Sequence, residues 1–390
     1  MKTMKRSVLP IPLLMAFSLS FLPLISPGAQ GGQEEPAIDE APLWQNPAQV
    51  RVEDREMAFS NESSSNPKND FVFFMSRFND GWVLMASLFR TKNPLFDRWG
   101  AYAVVSDPEG HSHWATVEMN GRDITFDTER LALSDGTNSI KNSDEGGNRI
   151  YQIHCDFGGF ACNLVFENLL PPWKPGDGIE YLSGDRKAFQ RQVVCSPWAV
   201  VTGSLSLEGK RIAVRGQGFM EKGLFVNPIN KLDPKVTSIR LFSTDETDLE
   251  NRWFIELHES EKHPSYGSGR ISRLLVAHGK DWVLTSREFS FEASDFTGIP
   301  EVPYTYPRIV RIACESNGYR LDGEYVVATL FNFTDVLSEL PEKIQQVLRI
   351  FIQRPVYFRS LGEFRGRLST PNGITHELHL FGPSEYVIVE

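Results

Sequence analysis

An all-β architecture, with two successive barrel- or sandwich-like domains and one late α-helix, is what this sequence predicts. Three observations lead there. Apolar residues recur at every second position through most of the chain, the period of a half-buried strand. Glycine (30) and proline (24) are spread along the 390 residues as turn punctuation rather than gathered in one linker. Helical spacing is confined to one stretch near the C-terminal end.

The elements follow in order. Lys2, Lys5 and Arg6 precede the apolar run Val8–Ile25, with the small residues Gly28 and Ala29 behind it. This is the layout of a secretory signal peptide over residues 1–29. Pro10, Pro12 and Pro23 make a stable membrane-spanning helix a poorer reading of the same run. Residues 30–51 are rich in Gly, Glu and Pro and read as a flexible lead-in. A first domain is expected over 52–225. Asp70 to Arg77 and Trp82 to Arg90 are apolar runs joined by Asn79-Asp80-Gly81, a hairpin signal. Ala101 to Ser106 and His113 to Met119 flank the turn Asp107-Pro108-Glu109-Gly110, and Glu208-Gly209 separates two further alternating runs. Asn227-Pro228 and Asp233-Pro234 punctuate the change to a second domain over 226–390. There Phe289 and Phe291 keep period two, and Tyr386 to Val389 form a closing strand. The helix is expected from about Ser338 to Gln353, where Leu340, Ile344, Val347, Leu348 and Phe351 share one face. No later stretch is apolar enough to span a bilayer.

Composition limits the function. The chain is 41% hydrophobic and 23% charged, sufficient for a large core, with 27 Phe residues. Its net charge of −10 falls to about −13 once the three positive charges of the leader are removed. So acidic a protein is a poor fit to a phosphate backbone, which excludes nucleic-acid binding as the main role. A secreted or periplasmic destination makes the four cysteines informative. If Gly158-Gly159 is a two-residue turn, Cys155 stands opposite Cys162 within reach of a disulfide; two small buried hydrophobes are the alternative. Cys195 and Cys314 have no sequence-level reason to meet.

Familiar catalytic motifs do not appear. There is no phosphate loop, no dinucleotide fingerprint and no G-x-S-x-G elbow; Gly216-Gln217-Gly218 lacks the third glycine. His376-Glu377-Leu378-His379 is one residue short of the zinc-protease spacing and puts its histidines on opposite faces of a strand. His111 and His113 share a face but lack a third ligand. Neither a metal nor a cofactor is expected. Asn61-Glu62-Ser63 and Asn332-Phe333-Thr334 fit the N-glycosylation pattern.

One block is more specific. Pro171-Pro172-Trp173-Lys174-Pro175-Gly176 is followed by Cys195-Ser196-Pro197-Trp198, then by Arg215-Gly216-Gln217-Gly218-Phe219. Asn79-Asp80-Gly81-Trp82 and Arg354-Pro355-Val356-Tyr357-Phe358-Arg359 belong to the same pattern. Over residues 52–390 the chain resembles the tandem lipocalin-like family of carotenoid 1,2-hydratase (hydroxyneurosporene synthase), AttH-type proteins and yeast survival factor 1. Fungal lipocalin-like Diels–Alderases are similar at fold level. The resemblance implies two lipocalin-like β domains side by side, enclosing an apolar cavity for a lipid- or polyene-like ligand. Trp173, Trp198, Phe219 and Lys222 are then candidate ligand-binding residues. In the family, Tyr-His-Asp-His or Trp-Met-Asp-Arg follows the G-x-G; here the segment reads Phe219-Met220-Glu221-Lys222, without either His. Glu221 takes the Asp position, with Lys222 able to pair with it. Two readings stand. The first is an exported carrier of a hydrophobic small molecule or lipid. The second is a hydratase or isomerase acting on a hydrophobic alkene, with Glu221 as the acid.

Overall fold

Turn chemistry sets the strand pairing. In the computed structural model, which describes residues 50–389 apart from 62–66, 94–95, 146–147, 229–230, 245–248, 301 and 336–354, β1 (Lys68–Phe78) and β2 (Val83–Asn93) form the hairpin expected at Asn79-Asp80-Gly81. Glu208 and Gly209 both adopt positive φ (49° and 77°), the twist that suits a two-residue hairpin between β11 (Phe189–Leu207) and β12 (Lys210–Val226). At Gly158, Cys155 pairs with Cys162 across β8 (Asn148–Asp156) and β9 (Phe160–Asn168), in the expected register. Both thiols are free and buried. The expected leader, most of the lead-in and the late helix lie outside the described residues.

Among the described residues the chain is all-β, built from two antiparallel sheets. The first holds twelve strands. It runs outward from β1 through β2 to β3 (Phe96–Ser106) and β4 (Ser112–Met119), and on the other side of β1 through β12, β11, β9 and β8. The second holds nine. Its first strand, β13 (Lys235–Ser243), lies between β14 (Trp253–Glu261) and the last strand, β21 (Thr375–Val389). Next to β14 runs β15 (Arg270–His278); next to β21 run β20 (Pro355–Ser369), β19 (Tyr319–Asp335) and β18 (Thr305–Ser316). In each sheet the final strand therefore returns beside the first. One short helix, α1 (Asp54–Met57), precedes β1.

Period two divides the side chains. One face of the first sheet wraps a core that includes Val72, Phe74, Leu84, Ile153, Leu164 and Phe166. The second sheet wraps its own, including Ile239, Leu241, Ile255, Leu257, Leu274 and Phe364. The opposite faces meet each other: Met75, Met85, Trp198 and Phe219 of the first sheet pack on Phe242, Phe254 and Leu275 of the second. Phe254 stacks on Trp198 and Phe219 with ring centroids 6.0 and 6.4 Å away.

The most specific sequence block turns out to build this junction. β11 is irregular between Val193 and Ala199, where Pro197 interrupts the ladder. Trp173 is pinned there by reciprocal backbone hydrogen bonds with Val194, of 3.0 and 2.7 Å. Trp198 Nε1 donates to Gln217 Oε1 (2.9 Å), and Gln217 Nε2 donates to the Ser243 carbonyl (3.2 Å), stitching one sheet to the other. The flanking glycines permit close approach: a Cβ at Gly216 would lie 2.1 Å from the Arg77 carbonyl oxygen, and one at Gly218 would lie 2.5 Å from the Phe166 ring.

The minor sequence features resolve simply. His376 lies by the Trp253 ring, whereas His379 reaches Glu363 from the opposite face of β21. Asn332 of the glycosylation pattern is buried and accepts a hydrogen bond from Arg359. Asp107, Glu109 and His111 bring ligand atoms within 4.8 Å of one another on the surface. Among the described residues no helix is long and apolar enough to cross a membrane.

Candidate functional site

Where the two outer faces diverge, a cleft of about 390 Å³ opens between the sheets. This is within the range of small-molecule sites. Its apolar wall comes from alternate residues of successive strands: Phe71 and Phe73 of β1, Met85 and Phe89 of β2, Tyr102 of β3, Trp114 of β4. β12 adds Phe225 and Glu221. The second sheet supplies Arg240 from β13, His258 from β14, Tyr357 and Arg359 from β20, and Glu385 from β21. Gly223, between Glu221 and Phe225, leaves room for Phe71 to lie against the backbone; a Cβ there would stand 2.3 Å from that ring.

Glu221 is the centre of the polar part. Its Oε2 accepts from Arg273 Nη2 at 2.5 Å, and its Oε1 from Arg240 Nη2 at 3.4 Å. Arg273 is shared with Glu256, whose carboxylate it grips through Nε at 3.0 Å and 3.2 Å. Burial alone would push the Glu221 carboxyl up, but the positive charges of Arg273 and Arg240 outweigh it and hold Glu221 below the usual carboxylate range. The deeper Glu256 goes the other way, raised by burial against the pull of Arg273. Burial, reinforced by Arg273, lowers His258 to about 3, so its imidazole is neutral; its Nδ1 lies 2.9 Å from Ser238 Oγ.

A second polar group lines the same cleft. Arg359 donates through Nε to Glu385 Oε2 at 2.7 Å and through Nη1 to Asn332 Oδ1 at 2.9 Å. Its guanidinium lies over the rings of Tyr102 (5.2 Å) and Tyr357 (4.8 Å). Burial raises the Tyr102 phenol despite Arg359 and a hydrogen bond to Thr334, so it remains an O–H group.

Of the candidates taken from the sequence, Glu221 lines the cleft; the structure places the others elsewhere. Trp173, Trp198 and Phe219 are fully buried in the core between the sheets. Lys222 does not pair with Glu221. Consecutive strand residues point to opposite faces, so Lys222 faces the inner core of the first sheet. There it pairs with Asp70 and lies 4.9 Å from the Phe59 ring centroid. The partners of Glu221 come from strands that are remote in sequence. Arg240, Glu256, His258 and Arg273 lie on alternating positions of β13 to β15, a face that reads locally like any mixed strand surface, and only sheet packing singles them out.

No protein-family model matches the chain, and no curated protein matches it. Solved structures do. CghA is similar with a TM-score of 0.60 at 12% identity, over 87% of this chain and 94% of its own. A putative AttH from Nitrosomonas europaea gives 0.56 at 11% identity, over 82% and 92%. Kievitone hydratase from Nectria haematococca gives 0.55 at 13% identity, over 88% and 94%. The fold is that of the AttH-type, tandem lipocalin-like proteins that the sequence resembles.

Proposed function

We propose that this chain is an enzyme of the hydratase or isomerase kind, working on a hydrophobic alkene bound in the cleft between the sheets. The observation that carries this reading is a carboxylate, Glu221, set on the wall of an apolar cleft and fixed by two arginines. A structural neighbour that is a kievitone hydratase supports the reaction class. The sequence cast Glu221 as a proton donor. Its arginine partners keep it ionised, so its chemistry is that of a base. A carboxylate suits addition of water to an alkene polarised by conjugation, rather than protonation of an isolated one. Glu221 takes a proton from water as the oxygen bonds to the electron-poor carbon. The electron pair moves to the neighbouring carbon, which takes a proton from an O–H donor such as Tyr102, and Glu221 returns its proton to the phenolate. Water is added across the double bond, and both side chains end as they began.

The test is incubation with a panel of conjugated apolar alkenes, reading gain or loss of water by mass. Glu221→Gln is expected to abolish turnover while the protein stays folded; unchanged turnover removes Glu221 from the chemistry. A carrier of the same class of ligand is the second reading, favoured by the missing histidine pair in the segment after the G-x-G. Ligand retained through gentle purification, with no turnover of any alkene, would support it. Export through the N-terminal leader remains part of the proposal, tested by the N-terminus of the mature protein.

A further inference from the structure

The two arginines that line the cleft are employed very differently. Arg359 is committed, with Nε on Glu385 and Nη1 on Asn332 and, at 3.3 Å, on Thr334 Oγ1. Arg240 is 2% exposed, yet its Nε has no hydrogen-bond partner and its bond to Glu221 is long, at 3.4 Å. Glu221 gives its short bond to Arg273 instead. A buried guanidinium left short of acceptors is costly, since an unmet buried donor gives up its hydration without return, and more so when charged. The site nonetheless holds it rigidly. Arg240 lies between the Phe73 and Phe219 rings, 5.2 and 4.7 Å from their centroids, which fixes the plane of the fork. The Tyr102 hydroxyl lines the same cleft from the opposite wall, beside Thr334.

We propose that Arg240 is the docking group for a carboxylate, and that the ligand of the cleft is an apolar, conjugated chain ending in an acid rather than a pure hydrocarbon. The Arg fork matches two carboxylate oxygens, and an apolar cleft strengthens the pairing. A hydrocarbon would fill the Phe71, Phe73, Phe89 and Phe225 wall and leave the guanidinium unmet. An acid satisfies both. The inference rests on the cleft being the ligand site, as above, but not on turnover.

The experiment uses a naturally fluorescent tetraene fatty acid and its methyl ester, titrated separately into the full-length protein. The acid is expected to bind at least tenfold more tightly than the ester. Arg240→Gln should erase that preference, and Arg240→Lys should restore part of it. Tyr102→Phe, which removes a single oxygen, keeps the question open to test if Arg240→Gln fails to fold; it should weaken acid binding with the preference retained. Equal binding of acid and ester by the unaltered protein overturns the proposal, as does an undiminished preference in Arg240→Gln. Binding of neither probe overturns it together with the cleft reading. Acid preference without any turnover upholds it and refutes only the proposed reaction.

Discussion

Lys222 provides the sharpest energetic test, because two adjacent residues of one strand are assigned to unrelated ion pairs. Lys222 and Asp70 are 3% and 2% exposed and face the core of the first sheet; Glu221 faces the cleft. Removing one partner of a buried pair leaves an uncompensated charge and costs about 3–5 kcal/mol, whereas replacing both with apolar groups is close to neutral. Asp70→Leu is therefore expected to lose about 3–5 kcal/mol. Lys222→Met should lose a similar amount, and the double variant much less than the sum. The coupling should therefore exceed about 3 kcal/mol, a large share of a typical total stability of about 5–15 kcal/mol. In contrast, Lys222→Met and Glu221→Gln should add to within about 0.5 kcal/mol, since the two side chains have no partner in common. Urea denaturation followed by tryptophan fluorescence and circular dichroism reads both cycles. Strong coupling of Lys222 to Glu221, or a cost below about 1 kcal/mol for Asp70→Leu, would refute the facing of β12.

Three further outcomes are expected. His258 has its folded value lowered to about 3 from 6.5, so the unfolded chain takes up a proton that the native state refuses. Its contribution to stability is full above pH 6.5 and is lost as pH falls toward 3; the difference between the unaltered protein and His258→Gln should shrink across that window, and a pH-independent difference contradicts the burial. Gly223→Ala forces Phe71 off the strand and should cost about 1–3 kcal/mol while weakening ligand binding; unaltered binding would show that Phe71 does not shape the cleft. Oxidation under native conditions should join Cys155 to Cys162, seen as a cross-linked peptide before reduction, with Cys195 and Cys314 still alkylated. Full alkylation of all four would rule the bond out.

Strand pairing was legible because turns announce it locally. Asn79-Asp80-Gly81 and Glu208-Gly209 mark strand junctions, and Gly158-Gly159 a register, that the structure reproduces. The Trp173 to Phe219 block was equally visible, but its chemistry is structural. Trp198, Gln217 and the close-packed glycines join the sheets beneath the cleft rather than lining it. Glu221 was recoverable from its place after the G-x-G, and its partner was not. Adjacency in sequence suggested Lys222, and period two puts adjacent strand residues on opposite faces. Arg240, Arg273, Glu256 and His258 become a cluster only when β13 to β15 lie across β12, a tertiary fact with no local trace.

The position of a bound ligand tests the central claim most directly. In a crystal structure with the tetraene fatty acid, density should lie between the sheets, along Phe71, Phe73 and Phe225, with the acid group at Arg240 and the chain passing Glu221. Density inside either sheet's own core, among Phe74 and Phe166 or among Leu257 and Leu274, would contradict it.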